Sequence, residues 1–141
     1  MSEQQNVAVV NRAAERWNAG DLAGYLELYA PSIVLHGIQG VEPGFDSARQ
    51  FYEAFWSAFS DSRLTFEQTI AKDDTVTIRF ALRGTHCGEL MGIPASGRPI
   101  DVPGITILRF EDSRCVERWS QTDFLGLLQQ IGAIPAPAAA R

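Results

Sequence analysis

Arg63-Leu64-Thr65-Phe66-Glu67-Gln68-Thr69-Ile70, a turn at Asp73-Asp74, and then Thr75-Val76-Thr77-Ile78-Arg79-Phe80-Ala81-Leu82-Arg83-Gly84-Thr85-His86 form the stretch whose reading decides the fold. Leu64, Phe66 and Ile70 alternate with Arg63, Thr65, Glu67 and Thr69. After the turn Val76, Ile78, Phe80 and Leu82 alternate with Thr75, Thr77, Arg79, Ala81 and Arg83. A period of two sends successive side chains to opposite faces of a strand, so the stretch reads as a hairpin with one buried face. Downstream, a Gly- and Pro-rich loop over residues 88–99 leads to a strand over about 100–110. A turn at Glu111 to Arg114 leads to a last strand over 115–122, and 123–131 is a short helix or turn ended by Gly132 and Pro135.

Upstream of the hairpin the period is helical. In residues 3–19, Val7, Val10, Ala14 and Trp17 recur at spacings of three and four, and Gly20 stops the helix. Asp21 caps a second short helix with Leu22, Tyr25, Leu26 and Tyr29, closed by Pro31. Residues 33–37 read as a short strand. Asp46 or Ser47 is expected to cap a third helix, to about residue 59, striped by Phe51, Phe55 and Ala58. Helices followed by a run of hairpin-linked strands predict an α+β fold, with an antiparallel sheet covered on one face by helices. Residues 1–134 read as a single domain, and the Pro/Ala-rich tail 135–141 is expected to be mobile.

The bulk numbers exclude several function classes. The 141 residues carry a formal net charge of −5, with 12 Lys and Arg against 17 Asp and Glu. That balance offers no basic stripe for nucleic acid and no electrostatic attraction to anionic membranes. No apolar run is long enough to span a bilayer, and Met1 to Asn6 lacks a signal pattern, so a cytoplasmic home is expected. Cys87 and Cys115 are expected to be reduced thiols. No CxxC or HExxH spacing suggests a metal, and no GxGxxG or P-loop suggests a nucleotide cofactor.

Polar residues on apolar faces are the candidate chemistry. Counting along the strand 75–86 puts Gly84 and His86 at the end of the inward row that holds Val76, Ile78, Phe80 and Leu82. The bland alternative is a core histidine bonded to backbone. In the last strand Trp119 is the natural core residue, and Asp123 then shares its face unless a bulge intervenes; Asp123 can equally be the N-cap of the helix that follows. An even turn in the last hairpin sets Trp119 opposite Thr106 and turns Arg79, Arg83, Arg109 and Arg118 outward. A one-residue bulge reverses such an assignment. His36 has no decided face. Trp17, Tyr25, Tyr29, Phe55 and Trp56 are core or cavity-lining aromatics.

The order Gly84-Thr85-His86-Cys87-Gly88, Gly92-Ile93-Pro94-Ala95-Ser96-Gly97-Arg98, Val116-Glu117-Arg118-Trp119, Asp123, Gly126 and Ile131-Gly132 resembles the SnoaL-like polyketide cyclase (ester cyclase) family of the nuclear transport factor 2-like superfamily. The resemblance spans nearly the whole chain. It departs at the hairpin turn, where Asp112-Ser113-Arg114-Cys115 replaces the common Asp-Gly-Lys-Ile. It implies a cone of curved antiparallel sheet wrapped by three helices, usually dimeric, with a cavity at the open end. It also implies cofactor-free acid/base catalysis, with Asp123 in the position of the catalytic aspartate and His86 and His36 expected to line the cavity.

The expected activity is an intramolecular aldol-type cyclisation of a mostly apolar polyketide-like or small carbonyl compound. Asp123 is the base, His86 the donor to the carbonyl oxygen, and His36 or a water assists. Trp119, Trp17, Tyr29, Phe55 and Phe80 are expected to contact the ligand. No metal or cofactor is required. The expected partners are a small apolar ligand and a second copy of the chain, docked through the outer sheet face. An isomerase, hydratase or epoxide hydrolase in the same pocket, or a non-catalytic binding dimer, are the alternatives.

Overall fold

Ser2 opens the first helix: its hydroxyl accepts from the Gln5 backbone N–H, and the Gln5 side chain reaches back to the Ser2 N–H. This reciprocal pair satisfies two of the donors that every helix start leaves unbonded. In the computed structural model, which describes residues 2–136, the order is α1 (Glu3–Asn18), α2 (Leu22–Leu26), β1 (Tyr29–His36), α3 (Phe45–Ala58), β2 (Arg63–Lys72), β3 (Thr75–Thr85), β4 (Pro99–Glu111), β5 (Arg114–Thr122) and α4 (Phe124–Gln130). Most of the tail expected to be mobile lies outside the described residues. None of the described helices is long and apolar enough to cross a membrane.

One curved, unclosed sheet of five strands runs in the order β1-β5-β4-β3-β2. The hairpins β2–β3, β3–β4 and β4–β5 are antiparallel, as the alternation requires. The sheet is nonetheless mixed, because β1 pairs with β5 in parallel. No hairpin ties β1 to β5; the chain leaves β1 through α3 and returns at the opposite edge, so β1 is free to dock with either polarity. β1 also starts earlier than expected, at Tyr29, and contains Pro31. An edge strand tolerates proline because one of its sides has no partner to lose. The third helix starts at Phe45 with Gly44 as its cap and no capping side chain, while Asp46 bonds Arg49 within the first turn.

The helices lie on one face of the sheet, α1 against β2 and β3, α3 against β1, and α4 against β4. Val10, Trp17, Ile33, Ile78, Leu108 and Phe110 are among the buried residues between the layers. β4 alternates between buried and largely exposed residues from Pro99 to Glu111, with its even-numbered residues facing the helices.

The last hairpin departs from strict alternation at one residue, and the site depends on it. Phe110 pairs with Cys115 as an even turn predicts, but Arg109 pairs with Glu117 and Leu108 with Arg118. Val116 is left without a partner, as in a β-bulge. Beyond it every residue of β5 lies on the face opposite to the one expected. Arg118 and Ser120 point to the helices; Glu117, Trp119 and Gln121 point away. Trp119 accordingly lies opposite Ile107, with Ser120 opposite Thr106.

At the end of β1 the chain turns sharply at Gly37, with φ +87°. A Cβ there would collide with the backbone carbonyl oxygen of Ser120. Gly37→Ala is expected to destabilise the fold by roughly 1–3 kcal/mol, through the left-handed backbone and the displaced edge of β5. Urea unfolding checks this; an unchanged midpoint would show that the edge gives way freely.

Candidate functional site

Between the helical layer and the sheet lies a cavity of about 510 Å³, within the size range of small-molecule sites. Trp17 comes from α1, Tyr25 from α2, and Phe51, Tyr52, Ala54 and Phe55 from α3. Leu64, Phe80, Leu82 and Val102 form the sheet wall, and Arg118 and Ser120 project from β5. Gly37, Ile38, Gln39, Glu89, Met91, Thr122 and Phe124 surround the rest, several of them exposed. The walls are mainly aromatic and aliphatic.

The polar groups gather at Arg118. Its Nη1 donates to the hydroxyls of Tyr29 (2.5 Å), Tyr25 (3.0 Å) and Tyr52 (3.3 Å), and its Nε donates to Thr106 Oγ1 (2.8 Å). The tyrosines come from three elements and join in a chain, Tyr25 to Tyr29 and Tyr29 to Tyr52, at 2.7 Å each. Three hydroxyl protons serve two tyrosine–tyrosine bonds, so one proton remains available to a further acceptor. Tyr25 and Tyr52, the two ends of the chain, both border the cavity. Thr106 accepts from Arg118, lies 2.9 Å from the Trp119 carbonyl as a donor, and meets the Ser120 hydroxyl at 3.2 Å. Arg118 forms no ion pair with a carboxylate among the described residues.

Burial pushes the Tyr25 and Tyr29 hydroxyls well above the ordinary phenol range, so both stay protonated. Burial by itself lowers the Arg118 pKa, but the contacts with Tyr29, Tyr52 and Tyr25 more than reverse this and the guanidinium stays charged. Cys115, buried nearby, is pushed up to about 12 by burial, against the lowering influence of Arg118. It is an inert core thiol, and Cys87 is likewise free, at the surface.

The residues singled out from sequence do not all meet in one place. Trp17, Phe55 and Phe80 line the cavity. Tyr29 sits one layer behind the lining, in contact with Arg118. Trp119 does not face the ligand space: it is 39% exposed on the outer face, stacked on His36 with ring centroids 5.2 Å apart. His36 lies on the same outer face, with Nε2 2.7 Å from Glu117 Oε2, and Glu117 also accepts from Arg109. The Val116 bulge is the reason for the placement of Trp119, and His36 follows from the alternation of β1, where Ile33 and Leu35 face inward.

His86 is buried at the end of the inward row, as the count predicts, yet it is not among the cavity-lining residues. Its Nδ1 accepts from the Ser96 backbone N–H at 3.1 Å and lies 2.9 Å from Ser96 Oγ. Its own backbone bonds Arg98 and Gly97 across the loop. The proton is therefore on Nε2, which is buried without a partner. Asp123 is exposed, and its carboxylate accepts from the Gly126 N–H at 2.9 Å as the N-cap of α4. The expectation that His86 and Asp123 share one hollow with their side chains aimed at a ligand does not match this arrangement. The residue missed from sequence is Arg118, which only the bulge turns inward. Among the described residues no cluster of three or more His, Cys, Asp or Glu is placed to hold a metal.

A family model described as SnoaL-like polyketide cyclase matches residues 7–131. The chain belongs to this family. Among curated relatives of this SnoaL-like chain are three aklanonic acid methyl ester cyclases. DauD of Streptomyces sp. (strain C5) is 25% identical over 89% of this chain and 81% of its own length. AcmA of Streptomyces galilaeus is 28% identical over 94% and 92%. Among solved structures, AclR from Streptomyces galilaeus superposes with a TM-score of 0.85 at 27% identity, covering 97% of this chain and 87% of its own. IdmH from Streptomyces antibioticus gives 0.75 at 31% identity, covering 91% and 99%. At the family level this is a cyclase-like enzyme with a nuclear transport factor 2-like fold.

On the outer face the His36 and Arg109 contacts hold the Glu117 pKa below the ordinary carboxylate range, the His36 bond first. A carboxylate with a lowered folded-state pKa contributes stability that is present above its unfolded pKa and lost as pH falls through the folded one. As pH falls from 7 to 3, the wild type is expected to lose more unfolding free energy than Glu117→Gln. Parallel acid limbs in urea titrations of the two proteins would rule this out.

Proposed function

We propose that this SnoaL-like protein closes a ring by an intramolecular aldol-type reaction, without a cofactor, on a mostly apolar polyketide-like or small carbonyl compound held in the 510 Å³ cavity. The observation that carries the reading is an aromatic-walled hollow with a single dense polar group in it, in a chain of this family. A base takes a proton from a carbon flanked by carbonyls; the resulting enolate carbon attacks a second carbonyl in the same molecule; the alkoxide formed takes a proton back. Substrate and product are isomers. The hydroxyl proton left over in the Tyr25–Tyr29–Tyr52 chain suits the donor to the developing oxyanion, in place of His86. The aromatic walls hold a flexible chain folded so that carbon meets carbonyl, which can lower the barrier by several kcal/mol.

Asp123 remains our candidate base. Thr122 and Phe124, its chain neighbours, both border the cavity, so Asp123 lies at its rim, and acting as the base requires its carboxylate to release the Gly126 N–H and turn inward. Asparagine caps helices as well as aspartate does. Asp123→Asn therefore keeps the cap and removes only the base. With aklanonic acid methyl ester as the trial substrate, wild-type protein is expected to yield a product of unchanged mass and altered retention. Asp123→Asn is expected to be slower by about 10²–10⁴-fold with ligand affinity kept. Full turnover in that variant would remove Asp123 from the mechanism. The outward cap favours one competing reading, a module that binds such a compound without converting it. Saturable binding with no isomeric product would select it.

The same proposal includes a homodimer through the outer sheet face. Ile70, Thr77, Ile107, Trp119 and His36 form one row across all five strands, and Ile70, Ile107 and Trp119 are each at least 39% exposed. Ile107→Glu is expected to halve the mass seen by light scattering; a wild-type monomer at working concentration would dispose of the dimer. A cytoplasmic home fits two thiols held as free cysteines.

A further inference from the structure

Arg118 is a permanent cation in a place where cations are normally matched by an anion. Its hydrogen bonds run from Nε to Thr106 and from Nη1 to three tyrosines; Nη2 takes part in none of them. Nη2 is also absent from the buried polar atoms that lack a partner, so it is not sealed in the core, and Arg118 lines the cavity. Two N–H groups of a guanidinium thus have no protein acceptor, beside the unassigned hydroxyl proton of the tyrosine chain. Every partner that Arg118 does have is a neutral hydroxyl. Among the described residues that line the cavity, Glu89 alone bears a carboxylate, exposed at the loop before Met91.

Donor surplus and charge point the same way. We infer that the cavity takes a ligand with a free carboxylate, on an apolar and preferably planar body, with the carboxylate seated against Arg118 Nη2 and the end of the tyrosine chain. A carboxylate supplies the missing charge in the resting complex and accepts several donors at once. A methyl ester supplies only neutral acceptors and leaves the guanidinium uncompensated. The aromatic walls fit the apolar body. This inference rests on the cavity being the ligand site, as proposed above, but not on any catalytic step.

The test uses 2-naphthoate and methyl 2-naphthoate, one ring system with and without the charge, in equilibrium dialysis at pH 7 against the full-length protein. Wild type is expected to bind the acid at least tenfold more tightly than the ester. Arg118→Met, which keeps the length and apolar body of the side chain, is expected to bind both alike, losing the preference for the acid. Arg118→Lys, which keeps the charge, is expected to restore part of the preference. An ester bound as tightly as the acid by wild type, or a preference that survives in Arg118→Met, overturns the inference and leaves the cavity as a ligand site. Binding of neither compound overturns both. The wild-type comparison needs no variant, so a poorly folding Arg118→Met does not blunt the test.

Discussion

The Arg118 guanidinium, held among three tyrosine hydroxyls, is the interaction on which the rest of the architecture turns. Tyr25 lies in α2, Tyr29 in β1 and Tyr52 in α3, so one polar group ties the helical layer and the sheet edge to β5. Taking a guanidinium out of water is expensive, and neutral hydroxyls offset only part of that penalty. A network of this kind persists only when every member is held in place. The tyrosine rings are held edge-to-face and stacked, with centroids 5.1 to 5.7 Å apart.

The cation reaches that position because of one unpaired residue. Val116 interrupts the pairing of β4 with β5, and a single inserted residue exchanges the faces of everything beyond it. The exchange gives the cavity its polar end, and on the other side it brings Trp119 into the outer row beside His36 and Ile107. Arg118 inside and Trp119 outside are two consequences of one bulge. The hollow stays open partly because Gly104 lies beneath Phe80: a Cβ on Gly104 would strike the Phe80 ring, which forms part of the wall.

His86 and Asp123 illustrate how local structure claims residues that look chemical. Ser96 and the backbone of the loop from 86 to 98 hold His86, and the loop so pinned carries Leu90 and Met91 to the cavity. Asp123 holds the start of α4, which brings Phe124 and Leu127 to the same cavity. His86 thus shapes the site from outside it, and Asp123 shapes it from the rim by capping α4.

Sequence by itself determined the architecture: period-two hairpins, period-3.6 helices and the turn residues between them depend on neighbours in the chain, and they sufficed for the α+β layers, the inward row of β3 and the aromatic walls from Trp17, Phe55 and Phe80. The family pattern was legible for the same reason, being carried by contiguous segments. The parallel docking of β1 and the inward turn of Arg118 were decided only by tertiary structure. Strand polarity at an edge depends on where the chain returns, and a bulge depends on how two strands fit once both are packed against a core. Neither leaves a mark in a period-two pattern, and an arginine next to a tryptophan reads as a surface residue until three distant tyrosines are seen to surround it.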